Sequence, residues 1–144
     1  MLKVEEEMVI AAPAETVFKT ITALEAYREW NPWIIEAEGT PQEGQLVRVI
    51  SQLGKKKMQV YHRILTHKPY TEFRWCDTGW FTVFAYGQRA RFLETLPQGG
   101  VRYRVELTIT GIFSWLVKWL FGKSLASGLK AETEALKKRA ESRG

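Results

Sequence analysis

Two histidines and one cysteine are the side chains of this sequence best suited to metal binding or nucleophilic chemistry: His62, His67 and Cys76. The histidines stand five residues apart in a stretch typical of a β-strand. This spacing predicts that they point to opposite faces and cannot hold one ion together, so we expect no metal site. Cys76 has no base near it in sequence and is predicted to be a buried, inert thiol.

His62 alone is a candidate for proton transfer, provided that its strand turns it toward a cavity. The alternative is a histidine on the strand surface or one satisfied by neighbouring polar groups. The sequence contains no G-x-S-x-G elbow, Walker A loop, G-x-G-x-x-G fingerprint or H-E-x-x-H pair. ATP hydrolysis, nicotinamide chemistry and zinc proteolysis therefore have no support, and we expect no cofactor.

The composition is that of an ordinary globular protein. The 144 residues, 45% hydrophobic and 26% charged, predict one domain over residues 1–144. A net charge of +5 is too small for a dedicated nucleic-acid binder, so we expect no nucleic-acid partner. The single cysteine allows no internal disulfide and suits a reducing cytoplasm.

Membrane and export signals are missing from the two places where they would be expected. Glu5, Glu6 and Glu7 stand where a signal peptide needs an apolar run, so the sequence predicts a cytoplasmic location. The most hydrophobic window, residues 112–129, is interrupted by Lys118 and Lys123. It is predicted to be a buried or interfacial helix and not a membrane span.

Hydrophobic periodicity divides the chain into a strand, two short helices, six further strands and a long helix. Residues 2–11 alternate as a half-buried strand, one helix opens at residues 12–15, and another covers residues 24–30. An antiparallel meander follows, with predicted strands at residues 33–38, 45–53, 58–66, 71–76, 82–96 and 101–110.

The last strand and the segment after it predict how the core is closed. Tyr103, Val105, Leu107 and Ile109 share one face of that strand, and such an apolar face must be covered. Residues 112 to about 143 are predicted to form the covering helix, which at 1.5 Å per residue is long enough to cross the whole sheet.

Particular residues in this order resemble a known superfamily. They are IAAPAETV at 10–17, LEAYREWNPW at 24–33, FRW at 73–75, FLE at 92–94, GG at 99–100 and ALKKRAE at 135–141. Together they resemble the SRPBCC, or START-like helix-grip, superfamily in its polyketide cyclase/dehydrase-like branch. The resemblance implies an α+β fold in which a curved antiparallel sheet wraps around the long C-terminal helix, with two short helices after the first strand and an internal cavity. It also implies an apolar ligand such as a lipid, sterol, polyketide or hormone, and only some members are enzymes.

Aromatic residues are unusually frequent, with six tryptophans, seven phenylalanines and five tyrosines. Such side chains either fill a solid core or line an apolar pocket. With the family architecture we expect the pocket. Its predicted ligand-binding residues are Trp30, Trp33, Phe73, Trp75, Tyr103, Leu107, Trp115 and Trp119. Phe113 and Phe121 are two further aromatic candidates for the pocket lining.

Arg89 is the predicted polar anchor of this pocket. Relatives often carry a histidine in the strand that matches residues 87–94, where this chain has Arg89. The alternation of that strand is ambiguous, so Arg89 faces either the cavity or the solvent. Facing inward, its guanidinium would need a carboxylate, trapped water or the acid group of a ligand, which it can hold bidentately.

Three functions remain open at this point. Few titratable residues are expected to face the cavity, which favours a carrier or sensor of a small hydrophobic molecule, lipid-like or polyketide-like. The second function is a cyclase or dehydratase whose cavity folds a reactive substrate. The third is lipid handling at an anionic membrane, with Trp115, Trp119 and Phe121 touching the bilayer.

Basic residues provide a further hypothesis about the surface. Lysines 55–57 in a predicted hairpin turn, with Arg102 and Arg104, would form a patch for anionic surfaces. The alternative is an ordinary solvated surface. The chain is expected to be a monomer or a homodimer.

Overall fold

One antiparallel sheet and two α-helices form the framework of the computed structural model, which describes residues 1–143. The strands are β1 (Leu2–Ile10), β2 (Ile34–Glu38), β3 (Leu46–Leu53), β4 (Lys56–Lys68), β5 (Glu72–Asp77), β6 (Tyr86–Thr95) and β7 (Val101–Thr110). The helices are α1 (Ala14–Thr22) and α2 (Ser114–Arg143), with short 3-10 helices at Leu24–Glu29 and Trp80–Val83.

The seven strands are ordered β1-β7-β6-β5-β4-β3-β2, so consecutive strands from β2 to β7 are neighbours and β1 pairs with the last one. The sheet curls into a half-barrel around the long C-terminal helix, with the two short helices after β1. The predicted α+β helix-grip fold is therefore confirmed.

The concave face of the sheet buries the predicted side of β7. Its burial alternates along the whole strand, and Tyr103, Val105, Leu107 and Ile109 are all buried. The second half of α2 covers them with Leu129, Leu136 and Ala140, which recur at helical spacing. Two polar contacts hold this end of α2 to β1 and the residue after it: Lys137 Nζ donates to the Val9 carbonyl at 3.2 Å, and the Ala11 N–H donates to Glu141 Oε2 at 2.8 Å.

One predicted strand is wrong in its first four residues. Residues 82–96 were expected to be extended, but the chain turns at Trp80–Val83 and β6 begins only at Tyr86. Local hydrogen bonds explain the turn, because Thr82 Oγ1 donates to the Gly79 carbonyl at 2.7 Å and the Ala85 N–H donates to the Phe81 carbonyl at 3.0 Å. These bonds satisfy backbone groups that a strand would have left to a neighbour.

A β-bulge in β4 overturns the predicted orientation of the two histidines. Ile64 pairs with Trp75 and Thr66 pairs with Arg74, so one extra residue is inserted between them. The bulge reverses the alternation beyond it. His67 consequently pairs with Phe73 and packs against the Phe18 ring at 5.2 Å, on the same inner face as His62.

Candidate functional site

A cavity of about 170 Å³ lies between the concave face of the sheet and α2 and opens to solvent. Its walls come from β3, β4, β5, β6, β7, α2 and the turn before β6. The lining residues are mostly apolar with a few polar groups: Trp33, Ser51, Met58, Val60, His62, Trp75, Asp77, Phe81, Gly87, Gln88, Arg89, Leu107, Ile109 and Leu125. This combination is typical of small-molecule sites.

Two buried tryptophans form the walls on either side of Arg89. The Arg89 guanidinium lies 4.4 Å from the ring centroid of Trp33 and 5.5 Å from that of Trp75. Both distances allow a cation–π attraction, which is stronger where water is excluded. Trp75 also stacks on His62, with ring centroids 5.0 Å apart and planes inclined by 14°.

The inward face of β6 carries two buried arginines that share one carboxylate. Arg89 Nη1 donates to both carboxylate oxygens of Glu132 on α2, at 3.0 and 3.2 Å, and Arg91 Nη2 donates to Oε1 at 3.3 Å. Asn31 Nδ2 completes the cluster with a bond of 2.8 Å to Oε2 of the same carboxylate. Arg89 thus faces inward, and its main partner is a carboxylate of the chain itself.

The charges of this cluster do not balance. Two guanidinium groups meet one carboxylate, so one positive charge is in excess. Burial acts to raise the pKa of Glu132, but Arg89 and Arg91 hold it below its usual range. Burial is also the main reason why the pKa of Arg89 is lowered. Among the described residues, Arg89 Nε, Arg91 Nη1 and Trp33 Nε1 are buried without a hydrogen-bond partner.

His62 and Asp77 form the second polar group of the cavity wall. Their strands place them opposite each other in register, with His62 Nδ1 3.4 Å from Asp77 Oδ1 and 3.3 Å from the Cys76 carbonyl. Burial, helped by the positive charge of Arg89, lowers the pKa of His62 to about 3, so the imidazole is neutral at physiological pH.

Asp77 titrates much closer to neutrality. Burial raises its pKa to about 6, although the Gly87 N–H, which donates to Oδ2 at 3.0 Å, and Arg89 both act to lower it. A Cβ at position 87 would lie 2.6 Å from Oδ2, so this close approach depends on glycine. Sequence reasoning missed Asp77, which lines the cavity together with the two predicted candidates His62 and Arg89.

The structure divides the other predicted site residues into three groups. Trp33, Trp75, Arg89 and Leu107 line the cavity. Phe73 and Tyr103 are fully buried in the core but are not among the lining residues. Trp30 is half-buried beside α1 and borders a separate surface groove.

The predicted cavity roles of Trp115 and Trp119 are wrong. Their side chains are 62% and 77% exposed, and neither lines the cavity. Phe113 and Phe121, from the same aromatic set, are exposed as well. The reason is that only the second half of α2, from Leu125 onward, packs on the sheet. The first half, which carries Trp115 and Trp119, is largely exposed to solvent.

Two of the predicted basic residues do not belong to a free cationic patch. Arg102 lies 3.4 Å from Glu7 and 3.8 Å from Glu94, and Arg104 pairs with Glu5 and Glu106. These pairs lie on the outer face of the sheet and neutralise both arginines.

Clustered metal ligands and a membrane-spanning helix are both missing from the part of the chain that the structure describes. Within residues 1–143, no three His, Cys, Asp or Glu side chains gather closely enough to hold a metal ion. Over the same range, no helix combines the length and the apolar character needed to cross a bilayer.

A curved antiparallel sheet around a C-terminal helix, with a lined cavity between them, defines a protein of the helix-grip class. The chain belongs to the family described as "Polyketide cyclase / dehydrase and lipid transport", whose model matches residues 1–141. The resemblance seen in the sequence is thereby confirmed. No curated protein sequence matches the chain.

Solved structures with the same fold come from several bacteria. The Zhui aromatase/cyclase from a Streptomyces species is 14% identical with a TM-score of 0.82, covering 99% of this chain and 94% of that one. A START superfamily protein from Mycobacterium smegmatis is 17% identical with a TM-score of 0.78, covering 99% of both chains. A protein from Thermus thermophilus is 21% identical with a TM-score of 0.77, again over 99% of both chains. At these identities the likeness shows the fold alone.

Proposed function

We propose that the protein binds a small, largely apolar molecule with an acidic group in its cavity, and that Arg89 holds the acidic group. The observation that carries the proposal is the excess positive charge of Arg89 and Arg91 over Glu132, because Arg89 also lines the cavity. An uncompensated buried charge costs free energy, and a ligand carboxylate beside Arg89 would offset that cost. Family membership supports the apolar part of the ligand.

The size of the cavity limits the ligand. About 170 Å³ is below the roughly 300 Å³ at which pockets begin to enclose drug-sized molecules. A short ligand would fit inside, and the tail of a longer one would extend toward the opening past Met58 and Phe81, which are both partly exposed. We expect the acidic group at the inner end, against Arg89 and Trp33.

Asp77 opposes this arrangement when it is ionised. With a pKa of about 6 it is mostly a carboxylate at pH 7, and a second carboxylate in the same cavity is repelled by it. The proposal therefore gives the two residues opposite effects. Arg89 strengthens the binding of an acid, and Asp77 weakens it above pH 6.

The test compares dodecanoic acid with its methyl ester, measured by displacement of an apolar fluorescent dye at pH 7.5. The acid is expected to bind at least about tenfold more tightly than the ester, which corresponds to the free energy of one charge-assisted hydrogen bond. Arg89→Leu should abolish this preference and leave ester binding unchanged, and Asp77→Asn should increase it. Arg102→Leu, on the outer face of the sheet, is the matched control and should leave the affinities for both ligands unchanged.

Equal affinities for acid and ester in the unmodified protein contradict the role of Arg89. Dye binding that is absent altogether, or that does not saturate, contradicts the proposed function itself.

We propose cyclase or dehydratase chemistry as the second candidate, because Asp77 is a carboxyl group with a pKa of about 6 inside the cavity. In this role the Asp77 carboxylate removes a proton from the CH₂ group between two carbonyls. The resulting enolate carbon attacks a carbonyl carbon of the same chain, the alkoxide takes up a proton, and water is lost when the ring dehydrates. Neutral His62, at 3.4 Å from Asp77, would orient that carboxyl group.

A linear poly-β-ketone thioester of N-acetylcysteamine tests this second candidate. If the protein is an enzyme, a cyclic product should form faster with the protein than without it, as measured by mass spectrometry. Asp77→Asn should abolish this acceleration. A rate of product formation equal to the spontaneous rate contradicts the enzyme hypothesis.

A cytoplasmic location stays a prediction for either function, since it rests on the sequence alone.

A further inference from the structure

The surface beside the cavity opening is apolar to an extent that folding alone does not require. Two segments form it, and we call them together the aromatic rim. Four of its side chains are more than two-thirds exposed: Trp80 and Trp119 at 79% and 77%, Val83 at 76%, and Ile112 at 69%. The full set is Trp80, Phe81, Val83, Phe84, Ile112, Phe113, Trp115, Trp119, Leu120 and Phe121.

The two segments of the aromatic rim are fixed to each other. The Phe113 N–H donates to the Phe84 carbonyl at 3.1 Å, and the two ring centroids lie 5.6 Å apart. Gly111, with φ of 111°, makes this approach possible, because a Cβ at that position would overlap the Phe84 carbonyl. The 3-10 turn before β6 and the chain just before α2 are therefore held in contact with each other.

The aromatic rim borders the opening of the cavity. Phe81 belongs to the rim and also lines the cavity. Leu125, one turn of α2 beyond Phe121 of the rim, lines the cavity as well. A partner bound to the aromatic rim would therefore lie next to the opening through which a ligand enters and leaves the cavity.

Most charged residues next to the aromatic rim are lysines, and Asp77, which lines the cavity together with Phe81, is the exception. Residues 78–93 and 107–131 contain no Asp or Glu, whereas Lys118 and Lys123 lie in the first half of α2. Lys55 in the turn between β3 and β4, and Lys56 and Lys57 at the start of β4, add to them, because Gly54 of that turn and Lys123 border the same surface groove. None of these five lysines has a carboxylate within 4 Å among residues 1–143.

This pattern of charge selects the partner. Exposed tryptophans flanked by lysines are suited to the interface of an anionic bilayer, where indole rings lie at the headgroup level and lysines meet lipid phosphates and carboxylates. A second copy of this chain fits less well, because a two-fold contact would bring two copies of the same lysine-rich surface together.

We propose that the aromatic rim docks the protein on an anionic lipid bilayer with the cavity opening toward the lipid. An apolar ligand then passes between bilayer and cavity without crossing water, and this last step rests on the proposed function. Docking itself does not, because it needs only the rim and the lysines.

Docking is tested by co-sedimentation with vesicles of phosphatidylcholine alone and of an equimolar mixture of phosphatidylcholine and phosphatidylserine. The protein should bind the mixed vesicles, bind the neutral ones at least about tenfold more weakly, and be released by salt. Trp115→Glu with Trp119→Glu should lower the affinity by about tenfold or more, since both side chains are removed from the contact and two negative charges are added. Lys118→Gln with Lys123→Gln should lower binding to mixed vesicles only.

Matched controls lie outside the aromatic rim. Leu46→Glu changes an exposed leucine at the opposite end of β3, and Lys138→Gln removes an exposed lysine near the end of α2. Both should bind vesicles like the unmodified protein, and all variants should keep its circular dichroism spectrum and its dye binding in solution.

The outcomes separate docking from the proposed function. Vesicle binding that is absent, or that the rim variants leave unchanged, overturns the docking proposal. A concentration-dependent dimer that Trp119→Glu disperses, with no vesicle binding, shows instead that the rim is an interface between copies. If the protein docks, the rate at which it transfers a fluorescent fatty acid to mixed vesicles should rise with vesicle concentration. A transfer rate that is independent of vesicle concentration overturns the proposal that the ligand passes directly between cavity and bilayer. Failure of the proposed function appears separately, as missing dye binding without vesicles.

Discussion

Glu132 on α2 and Arg89 on β6 are 43 positions apart in the chain, and their side chains meet in a buried ion pair with a shortest N–O distance of 3.0 Å. The pair ties the long helix to the middle of the sheet beside the cavity. Because Arg91 shares the same carboxylate at 3.3 Å, Glu132 is the one negative charge against two buried positive charges. The stability of the fold and the electrostatics of the cavity therefore depend on the same residue.

Removing the charge of Glu132 should destabilise the protein strongly. Glu132→Gln leaves two buried guanidinium groups without a counter-charge, and we expect the free energy of unfolding to fall by about 3–5 kcal/mol. Denaturant unfolding followed by circular dichroism measures the change. Glu134→Gln, at an exposed position of the same helix, should stay within about 0.5 kcal/mol of the unmodified protein. Similar stabilities for the two variants would mean that the ion pair adds nothing.

The pKa of Asp77 can be measured directly, because Asp77 is the only aspartate of the sequence. In protein labelled with ¹³C-aspartate, the single carboxyl signal should titrate near pH 6, the value to which burial raises its pKa. A midpoint near 4, the ordinary value for aspartate, would contradict the burial of this carboxyl group.

The same shift predicts how stability depends on pH. The folded protein binds the Asp77 proton more tightly than the unfolded chain does, so the contribution of Asp77 to the free energy of unfolding falls as pH rises from about 4 to about 6. Asp77→Asn should therefore equal the unmodified protein at pH 4 and exceed it at pH 7 by about 1–2 kcal/mol, after allowance for solvent screening of a side chain that is 30% exposed. A difference independent of pH would contradict this prediction. His62 acts in the opposite direction below pH 6.5, but it is present in both proteins and cancels to first order in their difference.

Two glycines of α2 should respond in opposite ways to alanine. A Cβ at Gly128 would lie 2.5 Å from Cε2 of the buried Trp33 ring, and we expect Gly128→Ala to cost about 1–3 kcal/mol through overpacking. At Gly122 the nearest atom is Cγ of Lys118 at 3.7 Å, and Gly122→Ala should stabilise the helix by about 0.5–1 kcal/mol. Thermal unfolding of the two variants measures both effects, and a change of the same sign in both contradicts the close packing of Trp33 on α2.

Tryptophans inside and outside the cavity should differ just as clearly. Trp75 is 1% exposed and lies between His62, Phe73 and Arg91, so Trp75→Ala should cost about 3–5 kcal/mol. Trp119→Ala removes a side chain that solvent already surrounds and should change stability by less than about 0.5 kcal/mol. A large loss of stability for Trp119→Ala, measured by denaturant unfolding, would place this residue in the core after all.

Glu132 shows what a closer reading of the sequence could have found. It lies three residues after Leu129 and four before Leu136, on the stripe of α2 that faces the core. A glutamate on such a stripe needs a buried partner, and Arg89 and Arg91 on the ambiguous strand were the available cations. That signal was present, although it does not tell which arginine is the partner or that both share the carboxylate.

The sequence by itself determined the order of the elements, the inward face of β7 and the extent of α2, because periods of 2 and 3.6 residues are properties of the local chain. Only the tertiary structure decided that His62 meets Asp77, that a bulge turns His67 to the same face, and that Trp115 and Trp119 remain in solvent. These outcomes depend on strand register, on one inserted residue, and on how far the sheet extends beneath the helix. None of the three is encoded in periodicity, because a local pattern states which side of an element is apolar but not what lies opposite it.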